Sequence, residues 1–312
     1  MLDQYIGYSL LRKIPNHSRV VFVGDPNQLP SVGCGNFLSD LIQSTVIPTA
    51  KLTEVHRQAK ENPIIENADL ILQGYTNLNL TKNSFIVYEE PTKRAIFKRA
   101  KDLYLSSVKL YGIENVILLN AQRKSGQMNV NVFNEYLQKK INPLNIGQPT
   151  IQGRNFIFRK GDRIMQTRNT DIAKNGDVGT IVDVVIETDP VDPEISEVIA
   201  KIEFNDDGIV HDYTKDMIDQ IDLAYCTTIH KSQGSEYHTV IMVVYDEPNA
   251  KWSMNNRSIV YTGITRASEN IAIVTDRVPD GNSSFKRAIR NTKNNSRYTM
   301  LAPRLRAALH TV

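Results

Sequence analysis

Apolar residues along this chain fall into two alternating patterns, short continuous runs and stretches with a helical three-to-four spacing, which together predict an α/β protein. The run Arg19-Val20-Val21-Phe22-Val23 ends abruptly at Gly24-Asp25-Pro26, as a buried parallel strand feeding a loop would. Helical spacing follows over residues 36–43 and 63–73, the second closed by Gly74. A polar stretch rich in Asn and Thr, residues 74–84, marks a first boundary. A second αβ series then begins. It predicts a strand over 84–88, a helix over 92–111, a buried strand over 116–119, and a helix over 127–140 stopped by Asn142-Pro143. From about Phe156 to Tyr213 the pattern changes to short β-type runs, GDRIMQ, GDVGTIVDVVI, VIAKIEF and IVHDY, separated by Gly-Asp and Asp-Asp-Gly turns. Four or five such strands predict a small β-barrel inserted into the α/β unit. The αβ series resumes at Asp222-Leu223-Ala224-Tyr225, with strands over 238–244 and 271–275 and a helix over 255–267.

The length of 312 residues predicts two or three compact units. No run of eighteen apolar residues occurs, so no transmembrane helix is expected. The N-terminal residues lack the order of a secretory signal, and a cytoplasmic location is expected. Cys34 and Cys226 stand far apart, outside any CxxC, and read as two reduced, packed thiols rather than a disulfide or zinc framework. The net charge of +3 is unevenly spread. Residues 183–222 hold thirteen acidic and two basic residues, a net of −11, so the remainder carries +14. Residues 286–306 contribute seven Lys or Arg and no acid. Such a remainder favours a polyanionic partner.

Candidate chemistry lies at the loop ends of predicted strands and beside predicted helices, and in open α/β sheets the loop edge is where ligands bind. The first stretch is GDPNQLPSVG, residues 24–33, whose sharp turn presents the Gln28 amide. An amide both donates and accepts, so it can sense a terminal phosphate and orient the water attacking it. The second is LTEVHRQ, with Arg57. The third is TTIHKSQGSE, residues 227–236, which crowds hydroxyls, His230, Lys231 and Gly234 into a segment suited to phosphate contacts. The fourth is YTGITRA, placing Arg266 on a helix that also carries Asn255 and Ser258. Each one singly is also what an ordinary polar turn or solvated helix end looks like.

Their order resembles the later motifs of superfamily 1 DNA helicases of the RecD-like branch: GDPNQLPSVG, LTEVHRQ, GDRIMQ with NGDVGTI, TTIHKSQGSE and YTGITRA in succession, from Met1 to about Arg306. The resemblance implies a partial first RecA-like domain over 1–75 and a complete second RecA-like, P-loop-type domain over 76–155 and 218–312. It also implies an inserted SH3-like β-barrel over 156–217. By the same resemblance Gln28 contacts the γ-phosphate, and Arg57 and Arg266 reach it as paired arginines. Gly24 and Asp25 shape the sensing loop. Gly234 and Glu236 border the nucleotide, Glu236 at the ribose, while Thr228, His230, Lys231 and Ser232 face the DNA backbone. The implied cofactors are ATP and Mg²⁺, and the implied partners are single-stranded DNA and single-strand/duplex junctions. Movement is expected 5′ to 3′, in DNA repair or recombination. The resemblance leaves open whether nuclease subunits join in.

Two departures qualify this picture. The inserted segment, residues 156–213, holds thirteen acidic and six basic residues, a net of −7 that repels phosphate; only its Arg159-Lys160 and Arg163 edge is a candidate for the DNA path. No GxxxxGK[ST] occurs anywhere, so the chain lacks a phosphate cradle. The family places an Asp-Glu pair for Mg²⁺ just before a Met-Leu-Asp like the one that opens this chain, so no metal ligand is predicted here. Met1 is accordingly expected to be an internal methionine, the chain a C-terminal fragment, and the isolated chain inactive as an ATPase. The alternative is a non-enzymatic DNA- or partner-binding module without an ATPase half. A nuclease finds no support, because no clustered carboxylates form a two-metal site.

Overall fold

The computed structural model describes residues 2–52, 62–81, 83–122, 128–188, 196–204, 208–247, 253–292, 297 and 299–309. Its centre is a five-stranded parallel sheet, formed by β1 (Phe85–Glu90), β2 (Val116–Asn120), β10 (Cys226–Thr228), β11 (Tyr237–Val244) and β12 (Ala267–Asp276). The order is β1-β12-β11-β2-β10, and every pairing is parallel. All five residues of β2 are buried, which is why its sequence, VILLN, is apolar without alternation until Asn120.

Helices cover both faces. On one side α4 (Lys93–Tyr111) and α5 (Val130–Ile141) pack against the sheet, burying Ile96, Ala100, Tyr104, Phe133 and Leu137. On the other side lie α3 (Pro63–Gln73), α7 (Arg257–Ile264) and α8 (Ser284–Arg290), burying Ile64, Ile71, Ile259, Ile264 and Ile289. Local chemistry sets their ends. The Asn62 side chain accepts from Ile64 N and Pro63 opens α3, while Gly74, at φ 89°, closes it in the left-handed region that glycine occupies freely. Thr92 and Asn129 cap α4 and α5 through side-chain oxygens in the same way. No described helix is long and apolar enough to cross a membrane.

Between α5 and β10 the chain builds an antiparallel sheet of β5 (Arg163–Gln166), β6 (Val178–Thr188), β7 (Ser196–Phe204), β8 (Val210–Tyr213) and β9 (Ile221–Leu223). The predicted barrel is thus a sheet of order β8-β7-β6-β5-β9, with no bridge between its two end strands among the described residues. Its fifth strand, β9, comes from the stretch at Asp222 that the pattern assigned to the parallel series. A small hairpin, β3 (Thr150–Gln152) with β4 (Ile157–Arg159), and a short helix, α6 (Lys215–Ile218), complete this part. Its apolar residues, among them Phe158, Ile181, Ile202 and Phe204, join the cluster under α4 and α5.

Three expectations are corrected. Residues 19–25 form no strand, and Val21 and Val23 are 82% and 92% exposed. The apolar run carries the composition of a parallel strand, but the described residues offer it no neighbouring strand to pair with. Cys34 is exposed rather than packed, although Cys226 is buried and both are free. Arg159 and Arg163 are each 5% exposed and spend their guanidinium groups on carbonyls, Arg159 on Asn142 and Arg163 on Ile113, Glu114 and Val116. They fasten the inserted sheet and are not open to phosphate. Hydrogen exchange should reflect the first correction. Amides of Val20 to Val23 are expected to exchange with little protection while those of β2 and β11 exchange slowly; slow exchange at Val20 to Val23 would show a paired strand instead.

Chain order then brings α1 (Gln4–Lys13) and α2 (Phe37–Ser44) to one side, and α9 (Leu301–Leu309) packs back on α2. Arg297 donates to the carbonyls of Gly33 (2.6 Å) and Gly35 (2.9 Å), and Thr299 Oγ1 to Asp40 (2.6 Å). Much of the basic C-terminal stretch is therefore engaged within the chain.

Candidate functional site

The loop of residues 24–30 is held against the end of α7 by bonds that span most of the chain. Leu29 is the anchor. Its side chain, 8% exposed, enters the apolar cluster with α3 and α7, its N–H donates to Thr262 Oγ1 at 2.9 Å, and its carbonyl accepts from Gln233 Nε2 at 3.1 Å. Burial of one leucine contributes about 1.5–3 kcal/mol, enough to seat a loop that has no strand beside it. Asp25 organises the rest. One carboxylate oxygen accepts from Asn27 N (2.9 Å), the other from the Gln28 amide (3.3 Å) and the Tyr261 hydroxyl (2.9 Å). Burial, then the Asp25 charge, raises the Tyr261 pKa, so the phenol stays a donor.

Arg266 lies two residues past the end of α7, in the turn entering β12, and not on the helix as its motif predicted; Asn255 likewise precedes the helix, while Ser258 is on it. The residue as a whole is 9% exposed. It donates to Thr262 O (3.2 Å), Ser235 O (3.0 Å) and Thr265 Oγ1 (3.2 Å). Burial lowers its pKa, opposed by the charges of Glu236 and Asp25. The arginine is thereby fixed in place, and two of its anchors belong to the helix end that also holds the residue 24–30 loop.

The segment after β10 turns without forming a helix. It sits at the carboxyl edge of the parallel sheet, beside the end of β2, where open α/β sheets take ligands. Ser232 is fully buried with its hydroxyl on Ile229 O (3.0 Å), and Thr228, 9% exposed, accepts from Lys231 N (3.3 Å). Both hydroxyls are engaged within the turn. Lys231 pairs with Asp222 at 3.4 Å. Burial lowers the His230 pKa below its ordinary 6.5, leaving the imidazole neutral at pH 7. Gly234, at φ 88°, makes the reversal that a side chain would resist. Glu236 beyond it is exposed.

A cleft of about 350 Å³ lies between these parts, lined among others by Gly24, Asp25, Gln28, Ser31, Gln233 and Gly234. The Gln233 Oε1 acceptor is buried without a hydrogen-bond partner there. The structure so gathers Gly24, Asp25, Gln28 and Gly234 around one cleft, with Arg266 outside its lining and tied to it through Thr262 and Leu29, and sets Thr228, His230, Lys231 and Ser232 on the adjoining sheet edge. Arg57 lies outside the described residues. The motifs contained, but did not single out, Leu29, Gln233, Tyr261 and Thr262; their roles depend on bonds between positions as far apart as 236 residues.

Residues 223–274 match the UvrD-like helicase C-terminal domain, and residues 1–87 match an AAA domain. The chain is 31% identical to an ATP-dependent RecD2 DNA helicase of Deinococcus radiodurans over 98% of its own length and 39% of that protein's. Over nearly its whole length the chain is thus similar to RecD-like helicases. It is also 23% identical to a RecBCD enzyme subunit RecD of Buchnera aphidicola, over 92% of this chain and 54% of the subunit. A Mycolicibacterium smegmatis RecBCD enzyme subunit RecD is 25% identical over 85% and 46%. This RecD-like chain therefore spans about half or less of the length of these relatives. Among solved structures, a Pif1 helicase from Candida albicans aligns over 87% of this chain and 66% of its own, with TM-score 0.42 and 15% identity.

Proposed function

We propose that this chain is the sensing, arginine-donating and DNA-tracking part of an ATP-dependent DNA helicase that moves 5′ to 3′ on single-stranded DNA and opens single-strand/duplex junctions. One observation carries the reading. Leu29 is bonded to Thr262, 233 residues away, so the loop with Gln28 is held on the end of the helix that Arg266 follows. We read residues 1–75 as the rest of a first RecA-like domain, 76–155 with 218–312 as the second, and 156–217 as an SH3-like insertion.

The residues fit the terminal-phosphate side of a nucleotide. Gln28 and Arg266 offer donors near the cleft, and the unpartnered Gln233 Oε1 accepts from a hydroxyl, an amino group or a water. ATP bound with Mg²⁺ supplies the phosphoanhydride bond whose cleavage drives movement. On this chain Gln28 orients water, with Asp25 and Gly24 holding its loop. Arg57 and Arg266 neutralise charge developing on the phosphate, since a guanidinium fork pairs bidentately with phosphate oxygens. Glu236 accepts from the ribose beside Gly234. At the sheet edge His230 and Lys231 meet the DNA backbone, with Thr228 and Ser232 keeping the turn in shape.

The absence of GxxxxGK[ST] favours a second reading, a DNA- or partner-binding module without turnover. One experiment separates the two. Purified 1–312 is expected to hydrolyse no ATP, with or without single-stranded DNA. Joined to the portion of the Deinococcus relative that precedes the matched region, it is expected to show DNA-stimulated hydrolysis. A fusion that folds and binds DNA but hydrolyses nothing would leave only the module.

A further inference from the structure

A second concentration of positive charge lies away from the proposed cleft, on the opposite face of the parallel sheet. There α4 carries six Lys or Arg against Asp102, and α5 carries Lys139 and Lys140 against Glu135. Eight cations against two acids leave +6 on two helices, twice the +3 of the whole chain. Because α4 buries Ile96, Ala100 and Tyr104, its outer stripe presents Arg94, Lys98 and Lys109 to solvent.

How these cations are engaged separates this face from the other basic regions. In the C-terminal stretch Lys286 meets Glu89, Arg287 meets Asp276, Arg297 donates to Gly33 and Gly35, and Arg306 donates to Gln43 O. On α4 itself Lys93 meets Glu247 and Arg99 meets Glu90. Arg94, Lys98, Lys109, Lys139 and Lys140, by contrast, have no carboxylate within ion-pair distance among the described residues. Lys101 joins the two helices: it lies 3.8 Å from Asp102, donates to the Tyr136 hydroxyl at 2.7 Å and sits 4.3 Å from that ring's centre, with Lys140 6.0 Å from the same centre. Tyr136 is thus covered by ammonium groups and offers no bare ring to a base.

We propose that the α4–α5 face is a second nucleic-acid surface, one that holds the backbone of duplex DNA outside the motor. Charge complementarity requires a polyanion, and the form of the face selects the duplex. Single-strand sites combine a groove with aromatic platforms, whereas Arg94, Lys98 and Lys109 stand on the exposed stripe of one helix and line no described cavity, Lys139 alone of the unpaired cations borders one, and the Tyr136 ring is capped. A rigid helix carrying cations from Arg94 to Lys109, about 22 Å at 1.5 Å per residue, matches the dense phosphate charge of a duplex. The surface is separate from the edge at His230 proposed above to meet single-stranded DNA, and the test keeps them apart.

The chain 1–312 is titrated with a fluorescein-labelled blunt 20-base-pair duplex and with a labelled single strand across a salt series. The triple variant R94A/K98A/K140A, all at exposed positions, is compared with H230A. The triple variant is expected to lose duplex affinity, with the slope of log K against log salt reduced by about 2–3, from loss of three phosphate contacts at roughly 0.9 each; single-strand affinity should stay within about twofold by the same counting. H230A should weaken the single strand and spare the duplex. An unchanged duplex slope in a triple variant with native circular dichroism would overturn the proposal. An equal loss on both DNAs would also overturn it, as would duplex binding that persists while polyglutamate binding falls, since that outcome assigns the face to an acidic protein. If H230A leaves single-strand binding intact while the triple variant behaves as expected, only the sheet-edge reading fails.

Discussion

Replacing Asp162 with alanine is expected to destabilise the fold by about 3–5 kcal/mol, the cost of removing one member of a buried charged network. Asp162 is fully buried, between β4 and β5, where the inserted sheet leaves the α/β unit. One carboxylate oxygen accepts from the Gln138 amide (2.6 Å) and Arg159 N (2.9 Å); the other accepts from the Asn142 amide (2.8 Å) and the Tyr225 hydroxyl (3.0 Å). Alanine strands four donors from three separate parts of the chain, and each unsatisfied buried group costs about 1–3 kcal/mol. Asparagine should cost less, about 2 kcal/mol, because one acceptor oxygen survives. Thermal unfolding reads the result, with an expected drop on the order of 6–10 °C for alanine at roughly 2 °C per kcal/mol. Burial also raises the Asp162 pKa despite its four hydrogen bonds. The native state then holds this proton more readily than the unfolded chain. Its contribution to stability is fully present below the ordinary carboxylate range and is lost as pH rises through the raised folded value. Asparagine should remove that slope. An Asp162→Ala protein with unchanged melting would show that the four donors find other partners.

That network also shows where sequence reading reaches its end. Elements whose causes are local were legible. Asn62-Pro63 and Gly74 bound α3 where the spacing predicted, Thr92 caps α4 at the predicted start, and the unbroken apolar runs of β2 and β11 are the buried strands they resemble. The run at Val20 to Val23 has the same local composition and a different outcome, because a parallel strand exists only with neighbours to bond. Arg159 and Arg163 looked like a basic edge, and only partners 17 and 50 residues away reveal them as fasteners. Ser232 and Thr228 lie in a segment whose composition suits phosphate contacts, yet the turn engages both hydroxyls within the chain. Two of the motifs, at Gly24 to Pro30 and at Gln233-Gly234, meet at the cleft, but nothing in their composition singles out Leu29 and Gln233, which hold it together through bonds to Thr262 and to one another.

The largest kinetic effect is expected at Arg266, in the fusion that restores turnover. Arg266→Ala should lower ATP hydrolysis by a factor of about 10³–10⁵, the range for an arginine finger. The geometry explains why the loss should be catalytic. Three carbonyl or hydroxyl acceptors already orient the guanidinium, so little freedom remains to be lost when it meets a phosphate oxygen. Lysine should not rescue, since its compact ammonium lacks the planar fork that lets one side chain span Thr262 O and Ser235 O and still pair bidentately with a phosphate. Alanine leaves those carbonyls without their partner, and some loss of stability must accompany the kinetic one. The two separate by measurement. Melting temperature and single-strand affinity report the fold and the sheet edge, and kcat reports the arginine. A fall in kcat of this size, with DNA affinity kept within a few-fold and melting only modestly lowered, is the expected pattern. Full turnover in a folded Arg266→Ala fusion would remove Arg266 from the reaction and leave it as the clamp joining the end of α7 to Ser235.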